Sequence, residues 1–314
     1  MPYLYLLSGD EREHELALAE LWALTGVVGR GRVAVGPRAV DVERGAYVAA
    51  CGELLASGPD PAGLAEKLRG RGLEYERFRI TLVTLPPRPQ VDGLEAIVEV
   101  AQHVGGTVDL VDPHTELLLT GSAGEWHLSR VISRSSKSFR RHEHKPWGFS
   151  SSLPARIARC MVNLVASPGE TVIDPCCGAG AVLLEAWAAG MRAVGSDLNP
   201  KLVGMTRANL DHFGYPSWAC TADAATFAAR VDAVVTDPPY GRQSPREAGL
   251  YERLLANFPS LAPRLCVVTA GAIDGLLDRA GYEILRVTCT RRGGLERRVY
   301  VAEVRGHGTE AEAG

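Results

Sequence analysis

The strongest constraint on this chain is a strict alternation of strand-like and helix-like segments that begins near residue 155. The apolar run TVIDP, for example, is followed by the helix-like AVLLEAWAAG. Neighbouring parallel strands need a crossover connection, and a helix of this length supplies one. Two β-rich segments joined through a Gly-Gly loop close the region, which predicts an antiparallel hairpin at the sheet edge. The pattern predicts an α/β, Rossmann-like domain with a seven-stranded sheet over residues 151–305.

The chain before this domain is organised differently. Residues 1–130 mix short strand-like and helix-like segments, which predicts a small α+β region. Over residues 131–150 the hydrophobic periodicity disappears and Lys and Arg become frequent, which predicts a basic linker. Such a linker is either a solvated connector or a strap that contacts phosphates. The polar, glycine-rich tail 306–314 is predicted to be disordered.

Composition limits the partners and the compartment. A formal net charge of −3 over 314 residues argues against a uniformly basic nucleic-acid binder, although local basic patches remain possible. The seven cysteines are an odd number, and none forms a CxxC pair, so we expect reduced thiols and a cytoplasmic location. His142 and His144 do not match a zinc spacing, so no metal is predicted. The N-terminus lacks a signal peptide pattern, and no membrane contact is expected.

A glycine-containing turn and three acidic residues predict a nucleoside site. The turn DPCCGAG follows the first strand and opens a helix, and its Gly178 and Gly180 allow a ligand to approach the backbone. Asp197 ends the second strand, where doubly wound folds hold ribose hydroxyls, and Asp223 ends the third, where it would accept from an adenine amino group. The GxGxxG pattern of dinucleotide sites is absent. A ligand with ribose and adenine but no phosphate fits better, which points to S-adenosylmethionine.

The alternative is that Asp197 and Asp223 cap the helices that follow them. The acidic residues end successive strands, and this order favours ligand binding over helix capping. The residues predicted to line the cofactor site from this part of the chain are Asp174, Cys176, Gly178, Gly180, Asp197, Leu198, Asp223, Ala224 and Asp237.

The fourth strand ends in Asp237-Pro238-Pro239-Tyr240, at the same edge of the sheet. Methyl transfer to an exocyclic amine of a base needs the nitrogen lone pair, which is otherwise delocalised into the ring. The Asp237 carboxylate and the Pro238 carbonyl would accept its N–H groups and direct the lone pair at the methyl group. Prolines add no competing donors, and Tyr240 would stack on the base. The alternative is a strained turn in a generic sheet.

Basic residues in two places are candidates for RNA contact. The edge hairpin carries a group of arginines, and the linker carries another basic group. The ordinary alternative for both groups is solvated surface. The hairpin lies on the domain with the predicted base pocket, which favours contact with the RNA backbone there, whereas both alternatives stay open for the linker. The predicted RNA-binding residues are Arg140, Arg141, Lys145, Arg242, Arg291, Arg292, Arg297 and Arg298.

These motifs resemble a known family. DPPYG, with DPCCGAG upstream, is similar to the amino-methylating, S-adenosylmethionine-dependent class I methyltransferases. Within them the chain most resembles the archaeal and eukaryotic tRNA guanine-N2 methyltransferases that modify position ten. The resemblance covers roughly residues 148 to 303. It implies that Phe149 and Ser152 border the methionine end of the cofactor. The turn departs from the usual Phe-Cys-Gly-Thr-Gly, and Cys176 in place of the aromatic residue would change the packing under the cofactor.

The family usually carries an N-terminal ferredoxin-like segment and a THUMP domain that grips the tRNA acceptor end. The segment VDLVDP resembles the start of the closing strands of a THUMP domain. The resemblance thus implies a THUMP/ferredoxin-like RNA-binding region and a tRNA substrate.

Our hypothesis is S-adenosylmethionine-dependent methylation of guanine N2 in tRNA, at position ten, on a base flipped out of its stack. An adenine-N6 methyltransferase on DNA or rRNA is an alternative, because the DPPY motif serves adenine equally well. A non-catalytic RNA-binding homologue is a second alternative, since the glycine turn is altered. The sequence leaves open whether one or two methyl groups are added, which oligomer forms, and whether a small activating protein partner is required.

Overall fold

The computed structural model describes residues 1–149, 152–239, 249–292 and 295–306, and of residues 291, 292 and 295 it describes the backbone alone. The chain divides into two compact units. The N-terminal unit consists of Met1–Ser8, Thr25–Glu43 and Val48–Ser135. The C-terminal unit consists of Gly9–Leu24, Arg44–Tyr47 and the chain from Ser136 onward. This division differs from the predicted single boundary at residue 130, because two early segments belong to the C-terminal unit.

The first half of the chain contains most of the mixed α and β structure. Its elements are β1 (Tyr3–Leu7), α1 (His14–Thr25), β2 (Val33–Gly36), β3 (Val48–Gly58), α2 (Pro61–Leu68), β4 (Glu74–Thr84), α3 (Gly93–Ala101), β5 (Gly105–Val108), β6 (Thr115–Ser122) and β7 (Glu125–Arg134). All of these except α1 lie mainly in the N-terminal unit.

The N-terminal unit is built on one sheet with the strand order β2-β1-β3-β7-β6-β4-β5. Strands β6 and β7 form an antiparallel hairpin, with Leu119 opposite Leu128. Helices α2 and α3 cover the core between them, which includes Leu64, Val100 and the fully buried Trp126. A Cβ atom at Gly121 would lie 2.6 Å from the Trp126 ring, so only glycine fits opposite this side chain.

The segment VDLVDP forms a turn where the sequence analysis expected a strand. Strand β5 ends at Val108, and the Asp109 carboxylate accepts hydrogen bonds from the amides of Val111 and Asp112, both at 2.9 Å. The Arg77 guanidinium donates to the other Asp109 oxygen at 3.0 Å. A short polar side chain that satisfies two following amides stabilises a turn, and this local bonding competes successfully with strand pairing.

The predicted basic linker over 131–150 is also corrected. Strand β7 continues to Arg134, and the short helix α4 (Phe139–His142) follows. Phe139 and His142 are buried, and His142 Nδ1 lies 2.6 Å from Glu185 Oε1. A solvated connector would not bury these side chains, so residues 139–142 are an integral part of the C-terminal unit.

The C-terminal unit contains the predicted alternation. Its further elements are α5 (Ala155–Val165), β8 (Thr171–Asp174), α6 (Ala181–Ala188), β9 (Arg192–Asp197), α7 (Pro200–His212), β10 (Ala219–Thr221), β11 (Ala233–Thr236), α8 (Leu250–Leu261), β12 (Arg264–Thr269), α9 (Asp274–Arg279), β13 (Tyr282–Arg292) and β14 (Leu295–Val304). None of the described helices combines the length and apolar character that a membrane crossing requires.

The sheet of this unit has seven strands in the order β10-β9-β8-β11-β12-β14-β13. Strands β8 to β12 pair in parallel, whereas β14 is antiparallel to both β12 and β13. The predicted seven-stranded sheet with an antiparallel hairpin at its edge is therefore confirmed. The strand order reverses between β8 and β11, and ligands of such sheets bind at the carboxyl ends of the strands at this point.

Helix α1 and residues 44–47 join the C-terminal unit through a buried acidic side chain. Glu20 is fully buried, and its carboxylate accepts from the amides of Ala46 at 2.8 Å and Tyr47 at 2.6 Å. The Asn163 side chain of α5 donates to it at 2.8 Å. A buried carboxylate is tolerated only with such donors, so Glu20 fixes these segments on the unit.

Candidate active site

The candidate site lies at the carboxyl ends of strands β8, β9 and β11. The parallel register places Asp174 beside Gly195 of β9 and Ile173 beside Val234 of β11. Asp174 and Asp197 therefore end neighbouring strands, and Asp237 follows β11 directly. The predicted acidic residues of the first, second and fourth strands are thus brought to one edge of the sheet.

Asp174 is the most buried of these acidic residues, with 2% of its surface exposed. Its carboxylate accepts from Thr236 Oγ1 at 2.8 Å and from the Cys176 amide at 3.1 Å. Burial raises the pKa of Asp174 to about 7, and the charges of Asp237 and Asp197 add to this rise, against the two hydrogen bonds. Asp174 links β8 to the end of β11, immediately before Asp237, and so fixes the base of the site.

The glycine turn takes two left-handed conformations, with φ of +54° at Gly178 and +82° at Gly180. Its amides are used inside the protein: Cys177 donates to the Ser196 carbonyl, Gly178 to Asp197 and Gly180 to the Cys177 carbonyl. A turn that has used these donors is poorly suited to a pyrophosphate, which agrees with a ligand that carries no phosphate.

Two polar side chains of α7 hold the turn from below, and the sequence analysis did not find them. Thr206 Oγ1 donates to the Gly178 carbonyl at 2.7 Å, and Asn209 Nδ2 donates to the Ala179 carbonyl at 2.9 Å. Both side chains are fully buried. The signal that was available is their spacing: residues three apart share a helix face, and polar residues on a buried face need partners.

Asp197 joins the turn to the end of β9. One carboxylate oxygen accepts from the Gly178 amide at 3.0 Å and the other from the Asn199 amide at 2.9 Å. The helix cap of α7 is Asn199, which accepts from the Lys201 amide, so Asp197 does not serve as that cap. Each oxygen of a carboxylate has two acceptor positions, so Asp197 keeps acceptors for ribose hydroxyls. The neighbouring Leu198 is 72% exposed and offers apolar surface.

Asp223 follows β10 and is exposed. Its carboxylate accepts from the Ala225 amide at 2.9 Å in a turn. The stretch between β10 and β11 is described in full and contains no helix, so the helix cap that was weighed as the alternative is not formed. The adjacent Ala224 is buried, and its carbonyl accepts from Asn257 Nδ2 at 2.9 Å. Asp223 therefore stands on a fixed loop with most of its carboxylate open to a ligand.

Phe149 lies against the glycine turn, and Ser152 is bonded to Phe149. The Phe149 ring comes within 3.6 Å of the position that a Cβ atom at Gly178 would occupy. The Phe149 amide donates to Ser152 Oγ at 3.2 Å, and the Ser152 amide donates to the Phe149 carbonyl at 2.9 Å. The ring thus forms an apolar wall over the turn.

Asp237 and Pro238 follow β11 as the methyl-transfer motif. Asp237 is half-buried and Pro238 is buried, and Thr236 before them is fixed by its bond to Asp174. The predicted Tyr240 and Arg242 lie outside the described residues.

The two thiols of the turn do not provide a nucleophile. Burial raises the pKa of Cys176 and of Cys177 well above the ordinary value, and the charge of Asp174 adds to both rises. Protonated thiols are weak nucleophiles. Cys176 packs against the core below the sheet edge, which agrees with the packing role that the sequence suggested.

The candidate RNA-binding side chains differ in exposure. Arg140 and Arg141 are exposed on α4. Lys145 is half-buried, and burial lowers its pKa. Arg297 is 9% exposed, which leaves too little surface for an RNA contact, whereas Arg298 is half-buried. The side chains of Arg291 and Arg292 are not among those that the structure describes.

Together these groups fit S-adenosylmethionine. Asp197 has acceptors for ribose, Phe149 provides an apolar wall, and the turn has used the amides that a phosphate would need. When bound, the cofactor would supply an activated methyl group to the site next to Asp237.

The comparisons with known proteins agree with this site. Residues 142–276 match the family model described as the RMKL-like methyltransferase domain, UPF0020. A Methanothermobacter thermautotrophicus protein named tRNA (guanine(10)-N2)-dimethyltransferase is 34% identical over 166 residues, which are 51% of this chain and 49% of that protein. A Pyrococcus abyssi protein of the same name is 29% identical over 276 residues, 81% of this chain and 83% of that protein. The chain belongs to the tRNA guanine-N2 methyltransferase family.

Family members differ in how much of their length this chain matches. The chain spans about half of the Methanothermobacter member and more than four fifths of the Pyrococcus member. The crystal structure of TrmN from Thermus thermophilus covers 97% of this chain and 100% of its own, with a TM-score of 0.51 and 24% identity, which shows a shared fold. The predicted class I methyltransferase fold with a mixed seven-stranded sheet is confirmed.

Proposed function

We propose that this protein uses S-adenosylmethionine to methylate the exocyclic N2 of a guanosine in tRNA, at position ten. The observation that carries the proposal is the placement of Asp237 and Pro238 at the point where the strand order reverses, fixed there by the Thr236–Asp174 bond. Two curated family members are named for methylation of guanine 10 at N2, which supports the choice of substrate.

In this proposal the chain binds and orients the cofactor and the guanine, and the cofactor supplies the methyl group. Asp197 accepts from the ribose, Asp223 from the adenine amino group, and Phe149 borders the methionine end. The Asp237 carboxylate and the Pro238 carbonyl accept the N–H groups of the flipped guanine. Two acceptors on one amine draw its lone pair out of the ring system and towards the methyl group.

The RNA contacts that we propose are divided between the two units. In the C-terminal unit they use Arg140, Arg141 and Arg298, with a smaller contribution from the half-buried Lys145. The N-terminal unit would act as a THUMP/ferredoxin-like module for tRNA, and its seven-stranded mixed sheet with two covering helices supports an RNA-binding α+β module. A cytoplasmic location is supported by the seven cysteines, which are all free thiols.

The decisive experiment is incubation of the full chain with labelled S-adenosylmethionine and an unmodified tRNA transcript. We expect labelled N2-methylguanosine or N2,N2-dimethylguanosine at position ten in nucleoside digests. Asp237→Ala should lower the rate by at least about a hundredfold, because it removes one of the two acceptors. Asp211→Ala, an exposed acidic residue of α7, is the matched control and should methylate tRNA normally.

The other outcomes identify the rival functions. Label in N6-methyladenosine, or in DNA with tRNA left unlabelled, would show an adenine methyltransferase and reject the guanine assignment. A protein that binds tRNA but no S-adenosylmethionine in calorimetry would be the non-catalytic homologue. Label at a different guanosine would keep the chemistry and reject position ten.

A further inference from the structure

The segment from Trp147 to Phe149 is fixed at its backbone by one buried side chain. The Trp147 amide donates to Asn209 Oδ1 at 2.9 Å, and Asn209 Nδ2 donates back to the Trp147 carbonyl at 2.8 Å. The amide group of Asn209 thus pairs with both polar groups of one residue, as a neighbouring strand would. The Trp147 ring itself is 52% exposed, so the bonds fix the backbone and leave the indole at the surface.

The same Asn209 side chain also holds the glycine turn. Its Nδ2 donates to the Ala179 carbonyl at 2.9 Å, between the two glycines with left-handed backbone. Asn209 is fully buried, and its bond to the Ala179 carbonyl is shielded from competing water. One side chain is therefore shared by the turn beneath the cofactor site and by the segment that carries Phe149.

The two segments meet at Phe149 and Gly178. Phe149 lies two residues after Trp147, and its ring covers Gly178 at 3.6 Å from the position of a Cβ atom. Movement of Trp147 relative to Ala179 would shift this ring away from the turn. Thr206 lies one helical turn before Asn209, and within the described part of the chain its hydroxyl bonds only the turn, through the Gly178 carbonyl and the Cys177 thiol.

We propose that Asn209 is a positioning residue that holds the Phe149 wall against the glycine turn and so sets the affinity for S-adenosylmethionine. It contacts neither the reacting amine nor Asp237 in this role. It acts through the backbone of Trp147 and Ala179. This inference rests on the proposed function in one respect, namely that the ligand of the turn is S-adenosylmethionine.

The test compares Asn209→Ala with Thr206→Val and with wild type, at a temperature well below the unfolding midpoint of each. We expect hydrogen exchange at the Trp147 amide to accelerate in Asn209→Ala, and its Kd for S-adenosylmethionine in calorimetry to rise about tenfold or more. Thr206→Val should weaken binding less, by about threefold, and leave Trp147 exchange unchanged, because it releases only the turn.

Asn163→Ala is the matched control for loss of a buried amide. Asn163 is also buried and bonds through both ends of its amide, to Glu20 and to Arg44, but its partners lie in α1 and in residues 44–47. It should lower the unfolding midpoint as Asn209→Ala does, without changing Trp147 exchange or cofactor affinity.

Three results would overturn the inference. These are wild-type affinity within twofold in Asn209→Ala, Trp147 exchange as slow in Asn209→Ala as in wild type, and an equal loss of affinity in Asn163→Ala. If wild type binds no S-adenosylmethionine, the proposed function fails first and the inference falls with it. That result can be told apart from the other three, because those are measured relative to a wild type that binds S-adenosylmethionine.

Discussion

The C-terminal unit contains two groups of acidic side chains that differ in their partners. In the first group, the paired acids, Glu185 contacts Arg159 and His142, Glu170 contacts Arg264, and Glu20 accepts from two amides and Asn163. The second group, the crevice acids, consists of Asp174, Asp197 and Asp223. Among the described residues no ion pair is recorded for any of these three, and their hydrogen-bond donors are backbone amides and the Thr236 hydroxyl.

The paired acids contribute to stability, whereas the crevice acids are available to bind a ligand. A buried carboxylate that meets cations or several donors is stable and unreactive, and its removal leaves those partners unsatisfied. A group of carboxylates without a cation keeps a negative potential, and burial raises the pKa of Asp174, with the charges of Asp237 and Asp197 adding to the rise. Such a site favours a cationic ligand, and the sulfonium of S-adenosylmethionine is one.

The largest effect is expected from breaking a paired acid. Glu185→Ala removes the partner of Arg159, whose guanidinium lies 2.8 Å from the carboxylate and is 1% exposed. We expect the free energy of unfolding in urea to fall by about 3–5 kcal/mol, because an unpaired buried charge remains.

The control for this change is Glu66→Ala, which removes an exposed glutamate from α2. It should change the free energy of unfolding by less than about 0.5 kcal/mol. A loss below about 1 kcal/mol for Glu185→Ala would contradict the assignment of Glu185 to the paired acids.

An intermediate effect, with a pH dependence, is expected at Asp174. Its pKa is raised from 3.8 to about 7 in the folded protein, so the folded state holds an extra proton between these values. The contribution of Asp174 to stability is therefore fully present below about pH 4 and is lost as the pH rises through about 7. Asp174→Asn removes this ionisation while its amide oxygen can still accept from Thr236 and Cys176.

The measurement is urea unfolding of both proteins at pH 5 and pH 8. We compare the free energy of unfolding of Asp174→Asn with that of wild type at each pH. From pH 5 to pH 8 the variant should gain about 1–3 kcal/mol relative to wild type, at about 1.4 kcal/mol per pKa unit. Asp211→Asn should show no such change, because that residue is exposed. If the difference in free energy of unfolding between Asp174→Asn and wild type does not change with pH, Asp174 is ionised at both pH values.

The smallest effect on stability is expected at Asp223. The residue is exposed, and the Ala225 amide is the one donor to its carboxylate among the residues that the structure describes, so Asp223→Ala should cost about 0.5 kcal/mol or less. Its affinity for S-adenosylmethionine in calorimetry should nevertheless fall about tenfold, because the acceptor for the adenine amino group is lost. Unchanged affinity would leave Asp223 with only its hydrogen bond inside the turn.

The sequence analysis was most successful where local pattern and tertiary environment agree. The alternation from residue 155 onward predicted the parallel sheet and its edge hairpin, because apolar runs of strand length between amphipathic helices have few other folds. It was wrong about the strand VDLVDP, where Asp109 bonds two amides of its own turn. It was also wrong about the linker, because a basic, serine-rich composition gives no sign that Phe139 and His142 are buried.

The candidate site shows the same limit. Asp174, Asp197 and Asp237 could be placed from sequence, since each ends an apolar run and the ends of parallel strands meet at one edge. Thr206 and Asn209 were missed, because their role depends on which turn the buried face of α7 meets. Arg297 was placed on the RNA side, and the structure buries it.

By itself the sequence determined the class of fold, the cofactor class and the acidic residues, since these follow from periodicity and from residue types at strand ends. Tertiary structure alone decided that Glu20, Glu170 and Glu185 meet cations or several donors, whereas the crevice acids have no ion pair among the described residues. It also decided that α1 belongs to the C-terminal unit, through Glu20 and Asn163, and that Asn209 joins Trp147 to the glycine turn. The physical reason is that a hydrogen bond or an ion pair depends on distance in space, and residues far apart in the chain carry no local signal of it.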